Sequence, residues 1–214
     1  MSSAEPVAVV DDRLTDLPAA VHAWRTWRLR VAPATGRPVL IPIGDDRHAW
    51  TPRRPMGARC PRRRSHRAPD PGCSCGLYAV KGAGLLRAAR DPAVIGTVDL
   101  WGMIVEHERG FRGAFAYPQR LGLICPFCFW QRGAGRAEVD HVARTRRRGL
   151  VPMCDDHLDR AKTVGYRVFD LWEPAAVLDA LLGTYAVDRI DRDLVSRLTA
   201  PDSDPGAGTA GTPP

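Results

Sequence analysis

The sequence predicts an α+β fold: a small, curved, mostly antiparallel β unit with a metal-stapled loop, followed by a compact cysteine-bearing module and C-terminal helices. Three observations lead there. Apolar and polar residues alternate with a period of two through much of the first half. The six cysteines fall into two clusters, each with a histidine in reach, a pattern of metal ligands. Beyond Pro174 the apolar spacing becomes helical. The expected segments are an N-terminal arm (1–22), the β domain (23–124), a metal-binding module (125–172), C-terminal helices (173–200) and a disordered tail (201–214).

From His22 to Val31, Trp27, Leu29 and Val31 alternate with Thr26, Arg28 and Arg30, as on a half-buried strand. Pro33 to Gly36 is turn chemistry, and Pro38 to Ile43 supplies the second strand of a hairpin. A Pro- and Arg-rich loop then runs from Gly44 to Gly72, too long for a compact domain unless something fixes it. Gly76 to Val80 reads as a short strand and Leu85 to Arg90 as one or two helical turns. Val94 to Glu108 and the returning Phe111 to Tyr117 read as a long hairpin, with Gly96 and Gly102 marking bulges or sharp coiling. In the last third, Pro174 starts a helix whose face carries Val177, Leu178, Leu181, Leu182 and Tyr185. A short helix over Arg189–Leu198 is expected to follow.

One cluster is Cys125-Pro-Phe-Cys128 with Cys154-Asp-Asp-His157. A Cys-x2-Cys turn sets two thiolates about one tetrahedral edge apart, and a second pair completes a closed structural zinc site. The residues between fit a hairpin, with Cys154 and His157 on the first turn of a helix at Asp155–Lys162. The other cluster is Cys60, His66, Cys73 and Cys75. Its Cys-x-Cys requires a turn, because neighbouring strand residues face opposite ways, and Pro71-Gly72 and Gly76 allow one. Two zinc ions are the expected cofactors. Iron or an iron–sulfur centre at the Cys60 cluster, and a site mixing ligands of both clusters, remain open from spacing alone.

Charge narrows the partners. The net charge is +7, Lys81 and Lys162 are the only lysines, and there is no asparagine, a bias of composition. Yet Arg53, Arg54, Arg59, Arg62, Arg63, Arg64 and Arg67 lie in one stretch without an acidic residue, enough to account for the whole excess. Either they support thiolates beside the second cluster, or they form a phosphate-binding surface. Arg144, Arg146, Arg147 and Arg148 make a second basic patch on the hairpin of the first cluster. No secretory signal and no run of roughly 18 apolar residues is visible, so a cytoplasmic protein with reduced cysteines and no membrane partner is expected.

Catalytic motifs are weak. Glu106-His107-Glu108 offers a carboxylate pair on one strand face, or a solvated hairpin tip. Asp140-His141 is read as part of a hairpin face, and the six tryptophans as core, with Trp50 and Trp130 the two that can alternatively stack bases. The strings Cys73-Ser-Cys75-Gly76-Leu77-Tyr78-Ala79, Gly96-Thr-Val98-Asp-Leu100-Trp101-Gly102 and Val105-Glu106-His107-Glu108-Arg109-Gly110-Phe111-Arg112 are similar to those of an uncharacterised actinobacterial family, over residues of about 50–120. That resemblance implies no function. Residues 125–160 resemble a treble-clef or zinc-ribbon module, a class too broad to imply one. The expected function is therefore a non-enzymatic, zinc-stabilised binding protein contacting DNA or RNA through its arginine loops. A protein–protein adaptor and a metal or redox sensor are the alternatives.

Overall fold

The computed structural model describes residues 9–10, 20–44, 48–62, 66–130, 139–146, 149–165, 167–191 and 193–194. The alternating first half forms β1 (Val9–Val10), β2 (Val21–Val31), β3 (Pro38–Pro42), β4 (Met56–Gly57), β5 (Leu77–Val80), β6 (Val94–His107) and β7 (Gly110–Leu123). A 3-10 turn at Ala83–Ala88 stands where helical turns were expected. Then come α1 (Pro126–Trp130), the hairpin β8 (His141–Thr145) and β9 (Gly149–Met153), and α2 (Asp155–Thr163). β10 (Val168–Trp172), α3 (Pro174–Tyr185) and β11 (Asp188–Arg189) complete the described chain.

Among the described residues all eleven strands join one sheet, antiparallel except for β11, which runs parallel to β7. Its spine is the β6–β7 hairpin, bent by register shifts between Thr97 and Val98 and between Trp101 and Ile104. β2 pairs with β6 from Val21 to Trp27, and β5 pairs with β7 from Leu77 to Val80. The Trp24–Val80 pair then closes the circuit β2–β6–β7–β5. Closure hides strand edges that would otherwise remain unpaired. The expected curved β unit is thus a nearly closed ring. β9 joins it through Leu29–Leu150 and carries β8 and β10 outward.

The two glycines singled out in β6 act differently. Gly102 has φ +73° inside the second register shift, a backbone state that a side chain would strain. Gly96 is a point of close approach: a Cβ there would lie 2.1 Å from the Arg120 carbonyl oxygen and 3.0 Å from the Trp27 ring.

Trp27 is fully buried and meets Trp50 edge to face at 5.5 Å, with Leu29, Leu40, Val98 and Leu100 in the same core. α3 covers this core with Val177, Leu178, Leu181 and Tyr185, the helical face expected from spacing. The buried Tyr185 hydroxyl accepts from the Leu40 amide at 3.0 Å and donates to the Trp50 carbonyl at 2.9 Å. One phenol thereby ties α3 to β3 and to the start of the arginine-rich loop.

Three expectations change. The segment after α3 begins as β11 at Asp188–Arg189, because the Ile190 amide bonds the Leu121 carbonyl and Ile190 is buried; residues 195–198 lie outside the described residues. The N-terminal arm contributes β1, whose Val9 and Val10 pair with Val105 and Ile104. β10 was not expected, and it pairs with β8. The tail at 201–214 lies outside the described residues.

Tyr185→Phe is expected to lower stability by about 1–3 kcal/mol, the cost of leaving a buried amide and carbonyl without partners. A urea midpoint shift at unchanged slope would report it. An unchanged midpoint would show that the tie contributes nothing.

Candidate metal centres and the arginine-bearing loop

The first centre sits where β7 ends. Cys125 follows Ile124 directly, and the single turn of α1 brings Cys128 to the same side, with the Phe129 amide bonded to the Cys125 carbonyl. The β8–β9 hairpin delivers Cys154 as the residue capping α2, and His157 follows one turn later. All four are buried, and their ligand atoms lie within 4.8 Å of one another. His157 Nδ1 is 3.0 Å from Cys154 Sγ, 3.3 Å from Cys128 Sγ and 3.6 Å from Cys125 Sγ, while Cys128 and Cys154 sulfurs are 3.6 Å apart. A tetrahedral cation held at about 2.3 Å from sulfur and about 2.1 Å from nitrogen spaces its ligands roughly 3.5–3.8 Å apart. A disulfide would need about 2.05 Å. The cysteines are free, and the group can hold a metal ion.

Its surroundings fit that role. Phe127 stacks on the His157 ring at 5.3 Å and fixes its plane. The Asp140 carboxylate accepts from the Asp155 amide at 3.0 Å, and His141 Nε2 meets Asp155 Oδ1 at 2.9 Å. The Asp140-His141 pair, read from sequence as a hairpin face, in fact clasps the start of the ligand-bearing helix. Burial pushes the Cys125 and Cys128 thiols up, and burial followed by Arg160 pulls the His157 imidazole down. Cys125, Cys128 and His157 therefore favour their neutral forms until a cation arrives. His157 Nε2 is buried without a hydrogen-bond partner among the described residues.

The second centre lies on the loop that needed fixing. Cys60, His66, Cys73 and Cys75 also place their ligand atoms within 4.8 Å of one another. Cys60 and Cys73 sulfurs are 3.8 Å apart, and His66 Nε2 is 3.3 Å from Cys75 Sγ. The turn demanded by Cys-x-Cys is present: the Asp70 carboxylate accepts from the Gly72 amide, the Asp70 carbonyl from the Cys73 amide, and Gly76 takes φ +131°. A Cβ at Gly76 would meet Arg112 Cβ at 2.9 Å. The two ligand sets do not mix, which answers the question that spacing left open.

Sequence reasoning missed what fastens this turn. Arg112, on β7 and 4% exposed, donates Nη1 to the carbonyls of Cys73 and Cys75, the latter at 2.9 Å, and Nε to His107 Nε2 at 2.7 Å. Glu106, the neighbour of His107, pairs with Lys81 at 2.5 Å. The Glu-His-Glu string therefore divides between an ion pair and a structural acceptor.

The arginines are placed as follows. Arg53, Arg54, Arg59, Arg62 and Arg67 are exposed; Arg53 Nη2 donates to the Gly183 carbonyl at 3.2 Å. Arg144 and Arg146 are exposed, and Arg144 stands opposite Asp170 in register. Arg63, Arg64, Arg147 and Arg148 lie outside the described residues. β4 pairs Met56 and Gly57 with Ala116 and Phe115, laying the loop along β7 beside an exposed aromatic pair: Phe115, 44% exposed, stacks on half-buried Trp101 at 6.1 Å. Trp50, by contrast, is core, and Trp130 is 39% exposed with Nε1 donating to the Ala89 carbonyl. No described helix is long and apolar enough to cross a membrane. Comparison with protein-family profiles, curated proteins and solved structures finds no match for this chain.

Purified full-length protein is expected to carry two metal ions, one per cluster, by elemental analysis. Cys128→Ser and Cys75→Ser should each remove one ion; loss of both with either variant would show that the clusters are not independent.

The raised thiols also set a pH sign. A cation must displace their protons, so loading releases protons and weakens as pH falls. In the metal-free chain the sign reverses. A thiol whose folded pKa is raised contributes stability that is present below its unfolded value, about 8.5, and lost as pH climbs through the folded value. The thermal midpoint of chelator-treated protein should fall above about pH 8.5, whereas that of metal-loaded protein should fall on acidification. Parallel profiles for the two forms would contradict this.

Proposed function

We propose that this chain is a non-catalytic, zinc-stabilised protein that binds single-stranded nucleic acid through the loop carrying the Cys60 cluster. The observation that carries the reading is the placement of that loop along β7. It sets Arg54, Arg59, Arg62 and Arg67, which form no ion pair among the described residues, on the element that lies beside the Trp101–Phe115 stack. Guanidiniums that track phosphates beside a ring on which bases stack are the two parts of a sequence-tolerant single-strand site. Neither part serves a core, since both face solvent.

Zinc is the cation that best suits three thiolates and one imidazole in a closed tetrahedron, and it leaves no coordination position for chemistry. Bound there, it supplies folding free energy on the order of 10 kcal/mol per site, enough to hold an aliphatic-poor loop in shape. Knuckle, hairpin and helix over residues 125–163 are read as a treble-clef-like module, with exposed Arg144 and Arg146 as a secondary phosphate contact. Three thiols also suit iron, so a coloured or oxidisable second centre would favour the sensor reading instead.

A second reading has its own observation. β10 ends the sheet path and exposes Phe169 at 61% and Leu171 at 44%, an edge that fits strand addition by a protein partner.

Fluorescence anisotropy with labelled oligonucleotides distinguishes the two. Binding should favour single strands and weaken steeply with salt. Replacing Arg54 and Arg59 together by Gln should reduce the slope of log K against log salt by about 1.4, roughly 0.7 per lost phosphate contact. Phe115→Ala should cost about 1–3 kcal/mol, the worth of one stacked base. Absence of binding at low salt would reject this function. Partners captured through β10 that survive high salt and nuclease would install the adaptor in its place.

A further inference from the structure

Beside the second centre, bordering the chelating turn, lies a cleft of about 690 Å³. Cys73, Ser74 and Gly72 form one wall, and Trp24, Ile43, Tyr78, Val80, Leu86 and Phe111 give it an apolar lining. Its charged residues are Arg25, Arg109 and Arg112, with no carboxylate among the described residues that line it. A cleft of this volume with apolar walls and a few convergent polar groups has the dimensions of a small-molecule site.

Arg25 decides what such a site would accept. The side chain rises from β2, its Nη1 donates to the Tyr78 carbonyl, and its guanidinium lies 5.3 Å from the centroid of the buried Trp50 ring. Its Nε is buried with no hydrogen-bond partner, and no carboxylate pairs with it among the described residues. Burial alone pulls its pKa down to about 10, a measure of how poorly this charge is solvated. Arg25 is half-buried as a whole, and a guanidinium in that setting with no carboxylate beside it favours an anion bound next to it. Arg112 is less available, because its Nη1 and Nε are engaged by the Cys73 and Cys75 carbonyls and His107. His107 Nε2 accepts from Arg112, which leaves the proton of the neutral ring on Nδ1 as a further donor lining the cleft. Arg109 stands exposed on the turn between β6 and β7, where it can draw an anion inward.

We propose that this cleft binds a small organic anion with a flat apolar body, its carboxylate or phosphate paired with Arg25 and its body lying against Trp24, Tyr78 and Phe111. The site is separate from the proposed nucleic-acid surface at Phe115, and neither depends on the other.

The test is calorimetric titration of metal-loaded, full-length protein with two probes, adenosine 5′-monophosphate and indole-3-acetate, against adenosine and indole as uncharged counterparts. At least one anion should bind with a dissociation constant below about 1 mM, and its uncharged counterpart should bind about tenfold more weakly or worse. Which anion binds separates a phosphate from a carboxylate ligand. Arg25→Gln should weaken the bound anion about tenfold, while Arg54→Gln, outside the cleft, should leave it unchanged. Should Arg25→Gln fail to fold, as judged by circular dichroism and metal content, Arg109→Gln at the exposed mouth takes its place and should weaken binding and flatten its salt dependence. Binding of neither anion, equal binding of charged and uncharged probes, or unaltered affinity in a folded Arg25→Gln or Arg109→Gln protein would overturn the proposal. Loss of anion binding in Arg54→Gln would also overturn it, by placing the anion on the outer arginine surface.

Discussion

Three thiols and an imidazole gathered within one tetrahedron are tolerable only as a neutral, poorly bonded pocket or as the shell of a cation. The buried first centre shows the strain of the neutral option. The Cys125 and Cys128 thiols are pushed up by burial, the imidazole is pushed down, and His157 Nε2 has no partner among the described residues. A cation resolves this arrangement in one step, because thiolate charge and metal charge nearly cancel. The segments that bring Cys125, Cys128, Cys154 and His157 together, namely the end of β7, the β8–β9 hairpin and the start of α2, otherwise meet through a small cluster of Ala143, Val151, Met153, Leu158 and Ala161. So small an apolar cluster gives the ligand shell a large share in holding them together.

The second centre poses the opposite electrostatic problem, since it stands in a strongly positive loop. Two arginine populations around it do different things. Arg112 is buried and spends its donors on the backbone of the chelating turn, so it acts on shape. Arg54, Arg59, Arg62 and Arg67 are exposed, and no described acid neutralises them, so they act on the surrounding solution. Holding the chelating turn needs only the first kind. The second kind is what a phosphate partner needs. Burial and bonding thus set Arg112, on β7, apart from the exposed arginines of the loop.

Local chemistry is what the sequence made legible. Alternation marked β2, β6 and β7, Pro174 and a helical apolar face marked α3, and ligand spacing marked both clusters because four side chains around one ion leave few choices of spacing. What escaped was set by long-range pairing. β10 reads as an unremarkable Val-Phe-Asp-Leu-Trp because its partner β8 lies over twenty residues away. The circuit through Trp24 and Val80 follows from bends in the β6–β7 hairpin, and no periodicity encodes it. Arg112 looked like one of many arginines until burial and its bonds to the Cys73 and Cys75 carbonyls distinguished it, and Arg25 sat unnoticed on the polar side of an alternating strand.

The cleft and the second centre share a wall, which makes their energetics inseparable. Cys73 and Ser74 face the cleft while Cys73 and Cys75 belong to the ligand set, and Arg112 bonds the turn from beneath. Whatever fixes that turn also fixes the shape of the cleft, and by linkage whatever fills the cleft must favour the ordered turn by the same free energy. The arrangement does not require a conformational switch. It requires only that the turn be less well ordered without its ion, which follows from its composition of proline, glycine, serine and arginine with little apolar surface to bury. An ion bound on the least self-sufficient segment of the fold would therefore act on the exposed arginines and on the adjoining cleft through the same turn.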